Sequence, residues 1–192
     1  MTLSAHAVVG TAVASLFPIN LPAAFAVAFL SHYVMDAIPH RDYKLESLVS
    51  DGKNHLNDDL VMDMRFVCDF VKISADFGLG IILSLLLFIA VHPAGWPIVV
   101  VGIVGGVMPD GLQFVYMKTH NKILSYFQRV HVWAHFDEHP NVTPFAGFSL
   151  QAVIVAVIVC SAFLLSSYQL GNSVSKFESR FGAVSVFFNY LS

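Results

Sequence analysis

Five apolar stretches limit what this chain can become: Leu3 to Phe17, Pro22 to Ile38, Val71 to Val91, Trp96 to Tyr116 and Phe145 to Leu165. A bilayer core takes about 20 consecutive apolar residues of helix, so the last three are comfortable spans and the first two are marginal. Proline stops the first at FPINLP, the third runs into HPAGWP, and Pro109 is expected to break the fourth. Two short segments joined by a tight turn read as a tilted helical hairpin. Composition agrees: 56% of the residues are hydrophobic and 12% charged, with mean hydropathy +0.69. Soluble domains carry about twice that share of charge. The expected fold is all-α, an integral membrane helical bundle of about five transmembrane helices, the first two a short hairpin. Residues 1–170 read as one transmembrane domain. The stretch KFESRFGAVSVFFNYLS reads 171–192 as an amphipathic or flexible tail.

Charge divides the loops. Arg41, Lys44, Lys53 and Arg65 lie between the second and third stretches, and Lys118, Lys122 and Arg129 between the fourth and fifth. The turns around Pro18 and Pro93 carry no Lys or Arg. By the positive-inside rule both long loops face the cytoplasm, in a multi-pass protein of the inner (plasma) membrane. MTLSAHAVVG lacks the positively charged start of a secretory signal, so the first helix is expected to be retained. Cys68 and Cys160 make no disulfide framework, and a net charge of −3 without a basic run implies no nucleic-acid partner. Membrane lipids are the expected neighbours, and a homo-oligomer would add helices to so small a bundle.

Within this apolar background, SHYVMDAIPH sets His32, Asp36 and His40 at four-residue steps, one stripe of a helix. Imidazole and carboxylate together suit a first-row metal, and lipid tolerates neither without a partner. The topology gathers more of them at the same end: His6 at the start of the first helix, Asp69 and Asp76 at the start of the third, Asp110 closing the fourth. His131, His135 and His139 lie in the loop before the fifth. Asp76, inside ISADFGLGII, is the hardest to explain without a role, because an ionised carboxylate mid-helix costs about 3 kcal/mol on insertion scales. Blander readings exist for the others: a helix-end pair for His32 and Asp36, a solvated His40, a turn aspartate at Asp110, an interfacial His6, and a solvated amphipathic stretch around His131. Gly102, Gly105 and Gly106 read as close-packing positions. No Gly-rich phosphate loop, G-x-S-x-G or H-E-x-x-H occurs, so serine-hydrolase and zincin chemistry have no support.

The segments SAHAVVGTAVASLFP, AFLSHYVMDAIPHRDY, SADFGLG, VMPDGLQF and NVTPFAGFSLQAVIV, in this order, resemble small uncharacterised bacterial integral membrane proteins similar to membrane-bound metal-dependent hydrolases. This resemblance covers most of residues 1–168. A more distant one concerns the zinc-dependent phospholipase C and single-strand nuclease superfamily, which is all-helical and holds zinc with the pattern H-x-x-x-D-x-x-Q-P-L-H. Here His32 to His40 reads H-x-x-x-D-x-x-P-H, so His32 and Asp36 match, while two positions are missing before His40. That superfamily also uses its N-terminal residue as a ligand, a part for which His6 is the nearest equivalent here.

Together these imply a metal-dependent hydrolase acting through a metal-activated water on a phosphoester or lipid-linked substrate at headgroup depth. The expected metal ligands are His6, His32, Asp36, Asp76, Asp110, His131 and His135, with Asp69 and His40 supporting them. Zinc is the expected ion, manganese or iron the alternatives. Two other readings stay open: a small proton-linked carrier with Asp76, Asp110 and His32 as a polar relay, and a non-catalytic membrane protein with a structural metal.

Overall fold

A computed structural model describes residues 1–40, 42–52, 54–91, 94–135 and 143–189, with only the backbone described for Val91, Pro144, Leu170 and 173–189. Among the described residues the chain is mainly helical: α1 (Leu3–Ala14), α2 (Leu21–Asp36), α3 (Met64–Leu85), α4 (Trp96–Thr119), α5 (Leu124–Ala134) and α6 (Pro144–Asn189). Three stretches are long and apolar enough to cross a membrane: Met64–Ala90, Trp96–Thr119 and Phe145–Gln169. At 1.5 Å per residue, α1 and α2 reach only about 18 and 24 Å, short of a hydrocarbon core of about 30 Å.

Side chains from outside the helices fix where they begin. Thr2 accepts from the Ala5 N–H at the head of α1, Asn20 from Ala23 at the head of α2, and Asp63 from Arg65 at the head of α3. That aspartate starts α3 at Met64, well before the expected Val71. The last turns of α3 widen into π geometry over Leu86–Val91, where the Phe88 carbonyl accepts from the Ala94 N–H.

Two expectations fail around α4 and α5. Pro109 lies inside α4 without breaking it, so Asp110 sits in mid-helix and does not close it. Membrane helices tolerate prolines among packed neighbours, and here α2 packs directly on that turn at Gly105. The region before the last span, read as loop, contains α5, which follows a left-handed turn at His120 (φ 45°). His139 falls outside the described residues. The α6 backbone continues through the expected tail to Asn189.

The shortest helix sits in the middle. α1 packs against α2, α3, α4 and α6, and nine of its twelve residues are buried. A helix apolar all round belongs in an interior, and small residues let it approach its neighbours closely. A Cβ on Gly102 would stand 2.5 Å from Thr11 Cα, and one on Gly106 would overlap the His6 carbonyl oxygen. The glycines read as close-packing positions thus seat α4 on α1, while Gly105 meets Phe25 and Ala28 of α2. Ala7, Val8 and Ala12 then join Phe88, Val99 and Val159 in the main core.

The 37–63 connection folds back over one end of the bundle. Leu48–Val49 (β1) pairs antiparallel with Asp59–Leu60 (β2), Leu48 opposite Leu60. Tyr116 Oη donates to the Leu56 carbonyl at 3.1 Å, and Lys118 reaches the Leu60 carbonyl and the Asp59 carboxylate.

Candidate metal centre

The α1–α2 hairpin is antiparallel, so the start of α1 meets the end of α2, and His6 comes to lie against His32 and Asp36. Their side chains are fully buried: the His6 and His32 rings stack with centroids 3.8 Å apart. His6 Nε2 stands 3.1 Å from Asp36 Oδ1 and His32 Nε2 3.0 Å from Asp36 Oδ2. From α4, Asp110 Oδ1 lies 3.6 Å from both His32 Nε2 and His131 Nε2. α5 supplies the last side: His135 Nε2 is 3.1 Å from His131 Nε2 and 3.3 Å from Asp36 Oδ2. The group forms three overlapping triads: His6, His32 and Asp36; His32, Asp110 and His131; Asp36, His40 and His135. Asp36 belongs to two of them, with its two oxygens facing different histidines.

These spacings can be tested against a metal. Ligands about 2.05 Å from a tetrahedral ion lie about 3.3 Å from one another. The separations above run from 3.0 to 3.6 Å. The tautomer of His32 also fits, since only Nδ1–H can donate to the Gly106 carbonyl, leaving the lone pair on Nε2 turned inward. His40 is fixed the same way, Nδ1 donating to the Ile38 carbonyl at 2.7 Å. Buried polar atoms are normally hydrogen-bonded. Here His6 Nδ1, His6 Nε2, His32 Nε2, Asp36 Oδ2 and His131 Nδ1 are buried without such a partner. Clustered lone pairs repel one another unless a proton or cation lies between them, and the donor chemistry fits a cation such as zinc. Burial pushes His131 down to about 4, so it presents a neutral imidazole at physiological pH.

One flank of the centre is closed and the other open. His6, His32 and Asp36 have side chains at most 1% exposed, whereas Asp110 is 29% and His135 32% exposed. The Met1 amino nitrogen, itself buried, lies 3.1 Å from Asp36 Oδ1 and 2.7 Å from both Asp42 Oδ1 and His40 Nε2.

Two expected participants do other work. Asp76 belongs to none of the triads; it accepts from Ser4 Oγ at 2.5 Å and Ser4 N–H at 3.2 Å. The first N–H groups of a helix have no partner within it, so this carboxylate satisfies α1 from α3. Asp69 supports no imidazole. It accepts from the Ser47 N–H and Oγ, each at 2.8 Å, and from Lys72 at 3.2 Å, fastening the 37–63 connection to α3. His40, expected as a supporting residue, stands within one triad.

Sequence reasoning overlooked three contributors: α5 as a helix, Gly10 in the α1–α4 contact, and the Gly106 carbonyl that orients His32. Only the first left a signal, the apolar recurrence Ile123, Phe127, Val130, Ala134 at helical spacing. No protein-family model, curated protein or solved structure matches this chain.

Proposed function

We propose that this chain is a metal-dependent hydrolase of the bacterial inner membrane, a bundle of about five membrane-inserted helices. Its centre lies at the cytoplasmic headgroup level and acts on a phosphoester or lipid-linked substrate. The observation that carries this reading is the shell of buried imidazole and carboxylate atoms at ligand–ligand spacing, several without a hydrogen-bond partner. Such a donor set suits zinc, with manganese or iron as alternatives. When bound, zinc would supply a water acidified to a pKa of about 7 and a Lewis acid for a phosphoryl or carbonyl oxygen.

The chain's own residues divide the remaining tasks. His6, His32 and Asp36 hold the closed side, and their burial excludes bulk water. Asp110 and His131 reach across from α4 and α5. His135 is the most exposed imidazole of the ligating set and stands with Asp110 on the open flank. Headgroup depth is supported by α5 itself, whose outward face carries Tyr126, Val130 and Trp133, all exposed, while His131 is on the buried face. A helix of this kind lies in a membrane interface, apolar side down. The carrier reading has less support, because Asp76 is engaged by Ser4 and stands outside the triads.

The test is metal content after purification in mild detergent, for wild type, His32→Ala and Asp36→Ala. Stoichiometric metal in wild type, lost in both variants, is the expected result, with hydrolysis across a panel of phospholipid and phosphodiester substrates following metal content. A wild type that stays substoichiometric after zinc reconstitution sinks the metal reading. Full metal with no turnover on the panel, and a lower Tm for His32→Ala, would establish a structural metal instead.

A further inference from the structure

α5 and its C-cap turn His131 and His135 toward Asp36 and Asp110, and the opposite side of the same helix carries a graded surface. At 3.6 residues per turn, the exposed arc runs from Arg129 through Trp133 and Tyr126 to Val130 and then Phe127. Cation, amphipathic aromatics and purely apolar side chains follow one another around the helix. That is the order in which a bilayer offers phosphate, interface and hydrocarbon. The apolar edge is continuous with the bundle, since the Phe127 ring stands edge-on to Phe29 of α2 at 6.2 Å. α2 in turn leaves Leu30 and Val34 exposed.

The cationic edge holds two charges. Lys122 lies in the turn that opens α5, where the Ser125 N–H donates to the Asn121 carbonyl at 3.0 Å. It therefore precedes Arg129 by two turns on the same side, about 10 Å away along the axis. Three other cations are already engaged, Arg65 with Asp63, Lys72 with Asp69 and Lys118 with Asp59. Lys122 and Arg129 are exposed and pair with no described carboxylate. Two free cations beside a band of aromatic and apolar side chains complement an anionic bilayer surface.

We infer that this face of α5 docks on anionic phospholipid headgroups through Lys122 and Arg129, and so holds His131 and His135 against Asp110 and Asp36. A helix of eleven residues is marginal by itself in water. Its inner support comes from α4, α2 and residues His55–Asn57. Lipid and metal both favour the docked helix, so each strengthens the binding of the other. The docking follows from the outer face alone; its effect on the centre rests on the metal reading.

Amide hydrogen exchange tests the docking, on the full chain in nanodiscs of phosphatidylcholine and of phosphatidylcholine with an equal part of phosphatidylglycerol. A Lys or Arg at an anionic surface contributes about fivefold, so α5 amides are expected to exchange about 25-fold more slowly in the anionic disc at low salt. The difference is lost at high salt and in the Lys122→Gln, Arg129→Gln double variant. Arg65→Gln, which removes a cation already paired, keeps it. Equal exchange in the two discs overturns the docking, and so does a lipid dependence that survives in the double variant.

Zinc titration in the anionic disc tests the coupling. Wild type is expected to bind zinc up to about 25-fold more tightly than the double variant at the same membrane charge. Equal affinities overturn the coupling. A wild type that binds no zinc in either disc fails the metal reading, while the exchange difference still decides the docking.

Discussion

Asp36 sits where three helices and a connecting loop converge, and its two oxygens do not share partners: Oδ1 meets His6 and the Met1 amino group, Oδ2 meets His32 and His135. Asp36→Asn keeps the shape and replaces one anionic oxygen by a donor pointed at imidazole lone pairs. Metal is therefore expected to fall to background by elemental analysis, with helix content unchanged by circular dichroism. Asp76 predicts a graded outcome. Asp76→Ala strips two partners from Ser4 and loosens the first turn of α1, a loss of about 1–3 kcal/mol read as a lower Tm in detergent. Asp76→Asn, which still accepts from Ser4, is expected to lie between that variant and wild type in Tm. Acid acts on the same shell, because ligating imidazoles must be neutral. Zinc retention is expected to fall as pH drops toward about 4, where His131 takes up a proton, as followed by metal release into a chromogenic chelator.

At the scale of elements, the sequence exposed what periodicity and charge can carry and hid what backbone contact decides. The stripe from His32 to Asp36 was legible because helical spacing alone aligns it. Asp76 was misassigned because an intramembrane carboxylate announces that it needs a partner without saying which, and the partner was a backbone N–H with its hydroxyl. Pro109 failed as a break because the contacts that support its turn come from α2, distant in sequence. The α1–α4 contact also sets a stability prediction. Gly106→Ala would drive a methyl into the His6 carbonyl, and overpacking of this kind costs about 1–3 kcal/mol. Gly111→Ala, which meets nothing within 4 Å, is the matched control. A lower Tm in detergent for the first and not the second is expected. For α5, a Trp96→Phe variant leaves Trp133 as the sole tryptophan, 68% exposed. Brominated phospholipids are expected to quench it most strongly when the bromines lie near the headgroup end of the chain. Full quenching by iodide from water, with none by the lipids, would remove α5 from the interface.

For the whole molecule, the placement of α1 determines when the centre can exist. Among the described helices α1 precedes its partners in synthesis, yet the glycines it packs against, Gly102 and Gly106, emerge some 90 residues later, and His131 and His135 later still. At about 18 Å it is also too short to hold a transmembrane position alone. α1 therefore reaches its buried place between α3 and α4 only once α4 has been made. A chain that ends before α5 therefore brings His6, His32, Asp36 and Asp110 together without His131 and His135 to close the cluster.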